Sequence, residues 1–321
     1  GAGIVVAAVS SLLLYLNWGG EHWGWSDARA LALLGVSIVL TAVFIYVENR
    51  ATEPILPMRL FKNAIFSVGN AYGFIVGLAM FGGIIFLPIY FQGVMGMSPT
   101  ESGLAMIPMI TGLLLMSIIS GNLITRTGRY KVFPIAGAAV IVVGLLLLSQ
   151  LKIDTPYWQV AIYAFVFGLG LGMTMQTVMV AVQNAISIRD MGVATSSLTF
   201  TRSLGGAIGT ALFGAILNNR LATHLTDRMA AEGIDPGQVD PAATSNIETM
   251  QELVEPIRTL VLTAYTDSLT DLFLFAIPFV VVARVIALFL REVPLRTKIE
   301  VPEGQTVAAQ FQSPVLFTLA E

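Results

Sequence analysis

The chain has 321 residues, 55% of them hydrophobic and only 12% charged, with a mean hydropathy of +0.79 and a formal net charge of −3. Soluble domains carry about 25% charged residues, so this composition describes a polytopic membrane protein. The small net charge gives no footprint for nucleic acid or a strongly charged partner, and the absence of cysteine excludes disulfides and thiolate metal sites.

Eight apolar runs follow one another at about 3–17, 29–47, 65–91, 102–124, 132–150, 158–184, 193–217 and 268–290. Each is read as a spanning helix, since about 20 apolar residues cross a hydrocarbon core of about 30 Å. The chain opens Gly-Ala-Gly without an initiator methionine or a signal-peptide charge pattern, and reads as cut from something longer. The first run ends where Trp18, Trp23 and Trp25 stand among glycines, a pattern that suits an interfacial belt and a turn. Residues 48–64, broken by Pro54 and Pro57, read as a cytoplasmic linker between two early spans (1–47) and six later ones (65–291). Glycines at 69, 73, 77, 82 and 83 would let a neighbouring helix approach the third run closely, or let it bend.

Between the fourth and fifth runs lies a tight polar break over 121–131. A bare turn cannot sit in hydrocarbon, so this break must lie at a membrane surface. Arg126, Arg129 and Lys131 assign it to the cytoplasmic one. With the N-terminus inside, ten Lys and Arg residues fall in inner connections and five in outer ones, which supports both ends being cytoplasmic. Residues 218–265 read as an external loop with Gly233, Pro236, Gly237 and Pro241 at its centre. Spaced apolar residues over 247–262 suit a surface helix there, interrupted by Pro256. The tail over 292–321 is polar and expected to be cytoplasmic and poorly ordered.

Polar residues inside spans must find a partner or face water. Asn70 and Gln176 stand out, as substrate contacts or as interhelical hydrogen bonds. Met173, Met175 and Met179 suit varied apolar ligands, and equally suit ordinary helix lining. Arg202 would sense protonation, hold a substrate anion or snorkel to the inner surface, the structural role being favoured. Arg284 reads as snorkelling. Asp267 and Asp271 share a helical face and read as a solvated helix start, so that no span holds an embedded carboxylate. There is no phosphate-binding glycine loop, so ATP is not the expected energy source. Gly168-Leu-Gly-Leu-Gly172 lies in a span and reads as helix packing rather than a dinucleotide site. No metal or nucleophile constellation appears, so neither a cofactor nor enzymatic chemistry is expected.

The 121–131 hairpin resembles the second-half copy of the signature loop of the major facilitator superfamily, Gly-x-x-x-Asp-Arg-x-Gly-Arg-x-Lys. Gly121, Arg126, Gly128, Arg129 and Lys131 match, and Thr125 stands where the acid would be. Trp18-Gly-Gly, Glu53-Pro-Ile-Leu-Pro-Met-Arg-Leu-Phe61, Leu87-Pro-Ile-Tyr-Phe-Gln92 and Arg202-Ser-Leu-Gly-Gly-Ala-Ile-Gly209 are similar to the fourteen-span EmrB/QacA-type drug:proton antiporters. The resemblance implies an all-α fold: the C-terminal six-helix bundle preceded by an extra two-helix pair, spans seven to fourteen of such a transporter. It places the third and sixth runs along the central cavity, with Asn70, Phe74, Met173, Gln176 and Arg202 as substrate-cavity candidates, and makes the hairpin a conformational switch. It further implies proton-driven export of amphipathic small molecules by alternating access, in the cell membrane. The implied partners are substrate, protons, membrane lipids and a missing N-terminal half that would carry the proton-titrating carboxylates. Two alternatives stay open: an exporter of a lipid, siderophore or self-made antibiotic, and a truncated non-transporting membrane subunit.

Overall fold

Every apolar run is helical, the fourth in two pieces. The computed structural model describes residues 1–21, 26–51, 58–232, 255 and 257–294. The end of the tryptophan cluster, the Pro54–Pro57 stretch, the centre of the long loop and the tail from 295 lie outside the described residues. The helices are α1 (Ala2–Glu21), α2 (Ala28–Glu48), α3 (Ala64–Gly93), α4 (Pro99–Ala105), α5 (Ile107–Thr127), α6 (Val132–Leu148), α7 (Tyr157–Ala185), α8 (Met191–Glu232) and α9 (Ile257–Leu288). Among the described residues seven helical segments, with α4 and α5 counted together, are long and apolar enough to cross a membrane. The eighth, α6, has 17 residues, about 26 Å of helix, the short end of what a bilayer needs.

Local chemistry sets the helix ends. Asn63 caps α3, its side-chain oxygen accepting from the backbone N–H of Ile65 at 2.9 Å and of Phe66 at 3.3 Å. Ser98 and Glu101 form a capping box at the start of α4, with Pro99 in its first turn. The fourth run is thus not one helix: Met106 separates α4 from α5. Gly128 ends α5 in the left-handed conformation at φ +70°, which a residue without Cβ adopts at no steric cost.

Four helices stand in a row, α5 against α7, α7 against α3, and α3 against α8. Behind them α6 packs on α7, and α9 packs on α3, α6 and α8. Small residues bring the backbones together. A Cβ on Gly77 would collide with the carbonyl of Arg202, and one on Gly205 with that of Phe74, so α3 and α8 touch backbone to backbone. The Gly168-Leu-Gly-Leu-Gly172 stretch packs helices, as expected. Gly168 and Gly172 lie against the Met109 and Leu113 carbonyls of α5, and Gly170 against Ile141 of α6. The α1–α2 pair is held by Ala8 and Ala30, both buried, and by the Ser37 hydroxyl donating to the Ala8 carbonyl at 2.9 Å. It meets the row through α1, which touches α8.

The long loop is where expectation and structure differ most. Helix α8 continues to Glu232, 42 residues or about 63 Å, and α9 begins at Ile257. Residues 218–232, expected as loop, are therefore helical; of the surface helix expected over 247–262, residues 257–262 form the first turns of α9 itself, and 247–254 with Pro256 lie outside the described residues. The physical reason is burial of Met229, Leu260, Val261 and Leu262 in the main apolar core, joined by ion pairs from the α8 extension to Asp267 and Asp271 of α9, described below.

Candidate functional site

Most outward faces of the bundle are apolar. Leu31, Val36 and Ile38 of α2, Ile107, Leu114 and Ile118 of α5, and Val281 and Val285 of α9 are all exposed. A chain that turns such residues outward is built for lipid. The first half of α8 breaks the pattern. Gly192, Ser196, Thr199 and Ser203 recur at helical spacing along one exposed face. With Gln183 of α7, and with Met191, Thr195 and Phe200, they line an open groove of about 770 Å³. The Gln183 amide donates to the Thr195 hydroxyl at 3.0 Å, which ties α7 to α8 at this end. The Ser196 hydroxyl donates to the Gly192 carbonyl at 2.8 Å and that of Thr199 to the Thr195 carbonyl at 3.0 Å, so these two are satisfied within α8. This stripe is what the sequence reading missed, although Ser and Thr at 195, 196, 199 and 203 repeat with the helical period.

The five cavity candidates do not come together. Asn70 is buried and fully engaged: its amide donates to the Phe66 carbonyl at 2.9 Å. Its oxygen accepts from the Ser197 hydroxyl at 3.1 Å and the Thr201 hydroxyl at 2.9 Å, a bridge between α3 and α8. Phe74 is half-buried in the same interface, where its carbonyl meets Gly205. Met173 turns away, toward Gly137 of α6. Gln176 is exposed, but at about 100° per residue it points opposite to Thr174 and Val178, which face α3. Arg202, like the other four, lies outside the lining of the groove. It sits half-buried where α3, α7 and α8 converge, lining a cleft of about 20 Å³ with Tyr72, Thr174 and Met175.

The hairpin end of the bundle is tied together by side chains reaching backbone. The Tyr130 hydroxyl donates to the Arg291 carbonyl at 2.7 Å and accepts from the Val293 N–H at 2.9 Å, and burial raises its pKa. Arg59 pairs with Asp190 at 2.7 Å, and the Asn63 amide donates to the Ala185 carbonyl at 3.0 Å. Arg126 and Arg129 are exposed and Lys131 half-buried around the Gly128 turn. Gly121 has open space where a Cβ would be, so packing does not require a glycine there.

At the opposite end, Arg220, His224 and Arg228 of α8 face Asp267 and Asp271 of α9. His224 Nε2 lies 3.0 Å from Asp271 Oδ2 and Arg220 Nε lies 3.6 Å from the same oxygen, while Arg228 pairs with Asp267. The Arg220 guanidinium also stacks 5.1 Å from the Phe275 ring centre. The two aspartates are thus not a solvated helix start. They lie inside α9 and hold the extension of α8.

A helical bundle with mostly apolar outward faces, seven of its described helical segments long and apolar enough to cross a membrane, is the architecture of a multi-pass membrane protein. Residues 1–210 match the family model described as Major Facilitator Superfamily, and the chain belongs to that family. It is 40% identical over 292 residues to an uncharacterised MFS-type transporter of Mycobacterium tuberculosis, an alignment covering 91% of this chain and 42% of that protein. It is 35% identical to the multidrug transporter protein MdtP of Bacillus subtilis, over 92% of this chain and 58% of that protein. With the tetracycline resistance determinant of Streptomyces rimosus it shares 31% identity, over 73% of this chain and 68% of the relative. The chain thus spans about half the length of the first two relatives. Among solved structures, a bacterial homologue of the human lysosomal transporter Spinster, inward-facing and occupied, superposes with a TM-score of 0.54 at 16% identity, covering 92% of this chain and 69% of that one. That likeness speaks for the fold.

Proposed function

We propose that the chain is the C-terminal part of a proton-driven multidrug efflux transporter of the fourteen-span type, exporting amphipathic small molecules by alternating access. In this reading α1 and α2 are the extra linker pair, 48–64 is a cytoplasmic linker and the bundle from α3 to α9 is the second transporter half. The hairpin at 121–131 faces the cytoplasm of a cell-membrane protein and works as a switch, with Gly121, Arg126, Gly128, Arg129 and Lys131 as its residues. The observation that carries the reading is the open groove along α8, mostly apolar with Ser and Thr hydroxyls set into it, in a chain related to proteins named for drug efflux. Amphipathic cargo suits a wall of hydroxyls beside Met191 and Phe200, because both parts of such a molecule find partners. Protons, membrane lipids and an N-terminal half complete the proposed set of partners.

Ser203 tests the site. Its replacement by leucine in the full-length protein fills part of the groove on an exposed position, where folding is little affected. Expression-normalised export of several chemically distinct dyes is expected to change selectively, by about tenfold for some and little for others. Gln176→Leu, on the far side of α7, is expected to leave the profile unchanged. A uniform loss in Ser203→Leu that follows protein abundance would place the substrate path elsewhere.

A further inference from the structure

We infer that Arg202 recognises an anionic group on the cargo, so that the transporter takes amphipathic molecules bearing a carboxylate, sulfonate or phosphate. The inference rests on the export reading above and adds the substrate class. Four observations carry it. The first is depth. Close contact of Gly77 with the Arg202 carbonyl sets Arg202 at the level of Gly77, near the middle of the 30-residue α3. A cation at mid-depth is costly unless it is paired or wetted.

The second observation is that no acid is at hand. Helices α3, α5, α6 and α7 contain no Asp or Glu, and α8 contains none before Asp227. Among the described residues Arg202 has no hydrogen-bond or ion-pair partner, whereas Arg59, Arg220 and Arg228 all have carboxylates. The third is immobility of the backbone beneath it. The Gly73, Gly77 and Gly205 contacts fix the α3–α8 separation, so the guanidinium is presented from a rigid base. The fourth is the neighbourhood. Arg202 lines a narrow cleft with Tyr72 and Thr174, and the groove lined by Thr199 and Ser203 lies on the adjoining face of α8. The hydroxyl of Ser203, the next residue along α8, and the amide of Gln183 line that groove and are donors that suit an anion. A planar guanidinium with adjacent hydroxyls binds carboxylate, sulfonate and phosphate through charge-assisted hydrogen bonds.

Two dyes and two variants in the full-length protein decide the matter: 8-anilinonaphthalene-1-sulfonate as the anionic probe and ethidium as the cationic one. The unaltered protein is expected to export both. Arg202→Gln is expected to cut sulfonate export about tenfold or more relative to ethidium, and Arg202→Lys to keep a large part of it. Loss of both dyes in step with abundance means that Arg202 serves structure or pairs with a carboxylate of the polypeptide, and overturns the inference. So does an equal response of both dyes at normal abundance. A competition assay needs no variant: octanesulfonate should inhibit ethidium export about tenfold more strongly than octanol does, and equal potency overturns the inference. If the unaltered protein exports ethidium but not the sulfonate, the anion class is wrong and the export reading stands. If it exports neither, the export reading itself fails.

Discussion

At the scale of single residues, Asp271 shows what burial and pairing do to a side chain that looks solvated in isolation. Its carboxylate is shared by His224 and Arg220 across the α8–α9 contact, with roughly a third of each side chain exposed. Solvent screens pairs of that kind, so Asp271→Asn is expected to lower stability by about 1 kcal/mol, less at high salt. The control is Asp227→Asn, an exposed carboxylate one residue before Arg228, expected to change little. Thermal unfolding of both variants in detergent checks the account, and equal midpoints would contradict it. Little of this was legible beforehand. Arg220, His224 and Arg228 sit four residues apart in a polar stretch, and polarity reads as loop unless the acids opposite are known. Asn70 was partly legible: an amide in a span needs a partner, but only the fold names Ser197 and Thr201.

At the scale of helices, glycine sets the distances. Gly77→Ala would drive a Cβ into the Arg202 carbonyl, and the α3–α8 pair must then separate, at a cost of about 1–3 kcal/mol. Gly214→Ala, in α8 with open space around it, is expected to be neutral or to stabilise by up to about 1 kcal/mol through helix propensity. Folded yield and thermal midpoint of the two variants are the measurement. Similar behaviour would mean that close approach is not what these glycines provide. The helices themselves were readable because long apolar runs leave few alternatives in a membrane. Their glycines announced close packing, as in Gly168-Leu-Gly-Leu-Gly172. Which neighbour each glycine meets was not readable, since a 3.6-residue period distributes Gly168 and Gly172 to α5 but Gly170 to α6. The same period separates Met173 and Gln176 from Arg202, although all three looked alike as residues within spans.

At the scale of the molecule, the row α5–α7–α3–α8 backed by α6 and α9 is a membrane bundle of the major facilitator superfamily. Most of its outward faces are apolar, and the first half of α8 carries an open groove with Ser and Thr in its lining, the half-buried Arg202 standing on the adjoining face. Composition and the 121–131 hairpin made the class legible. The groove was hidden because Ser and Thr are common in spanning helices, and their orientation depends on the register of α8 against α3. The central proposal is that the full-length protein moves amphipathic molecules at the expense of a proton gradient. The direct measurement is ethidium transport by the purified full-length protein in proteoliposomes carrying an imposed pH difference. The account predicts accumulation above protein-free liposomes that collapses when a protonophore dissipates the gradient. Accumulation indifferent to the gradient, or none beyond the protein-free control, would contradict it.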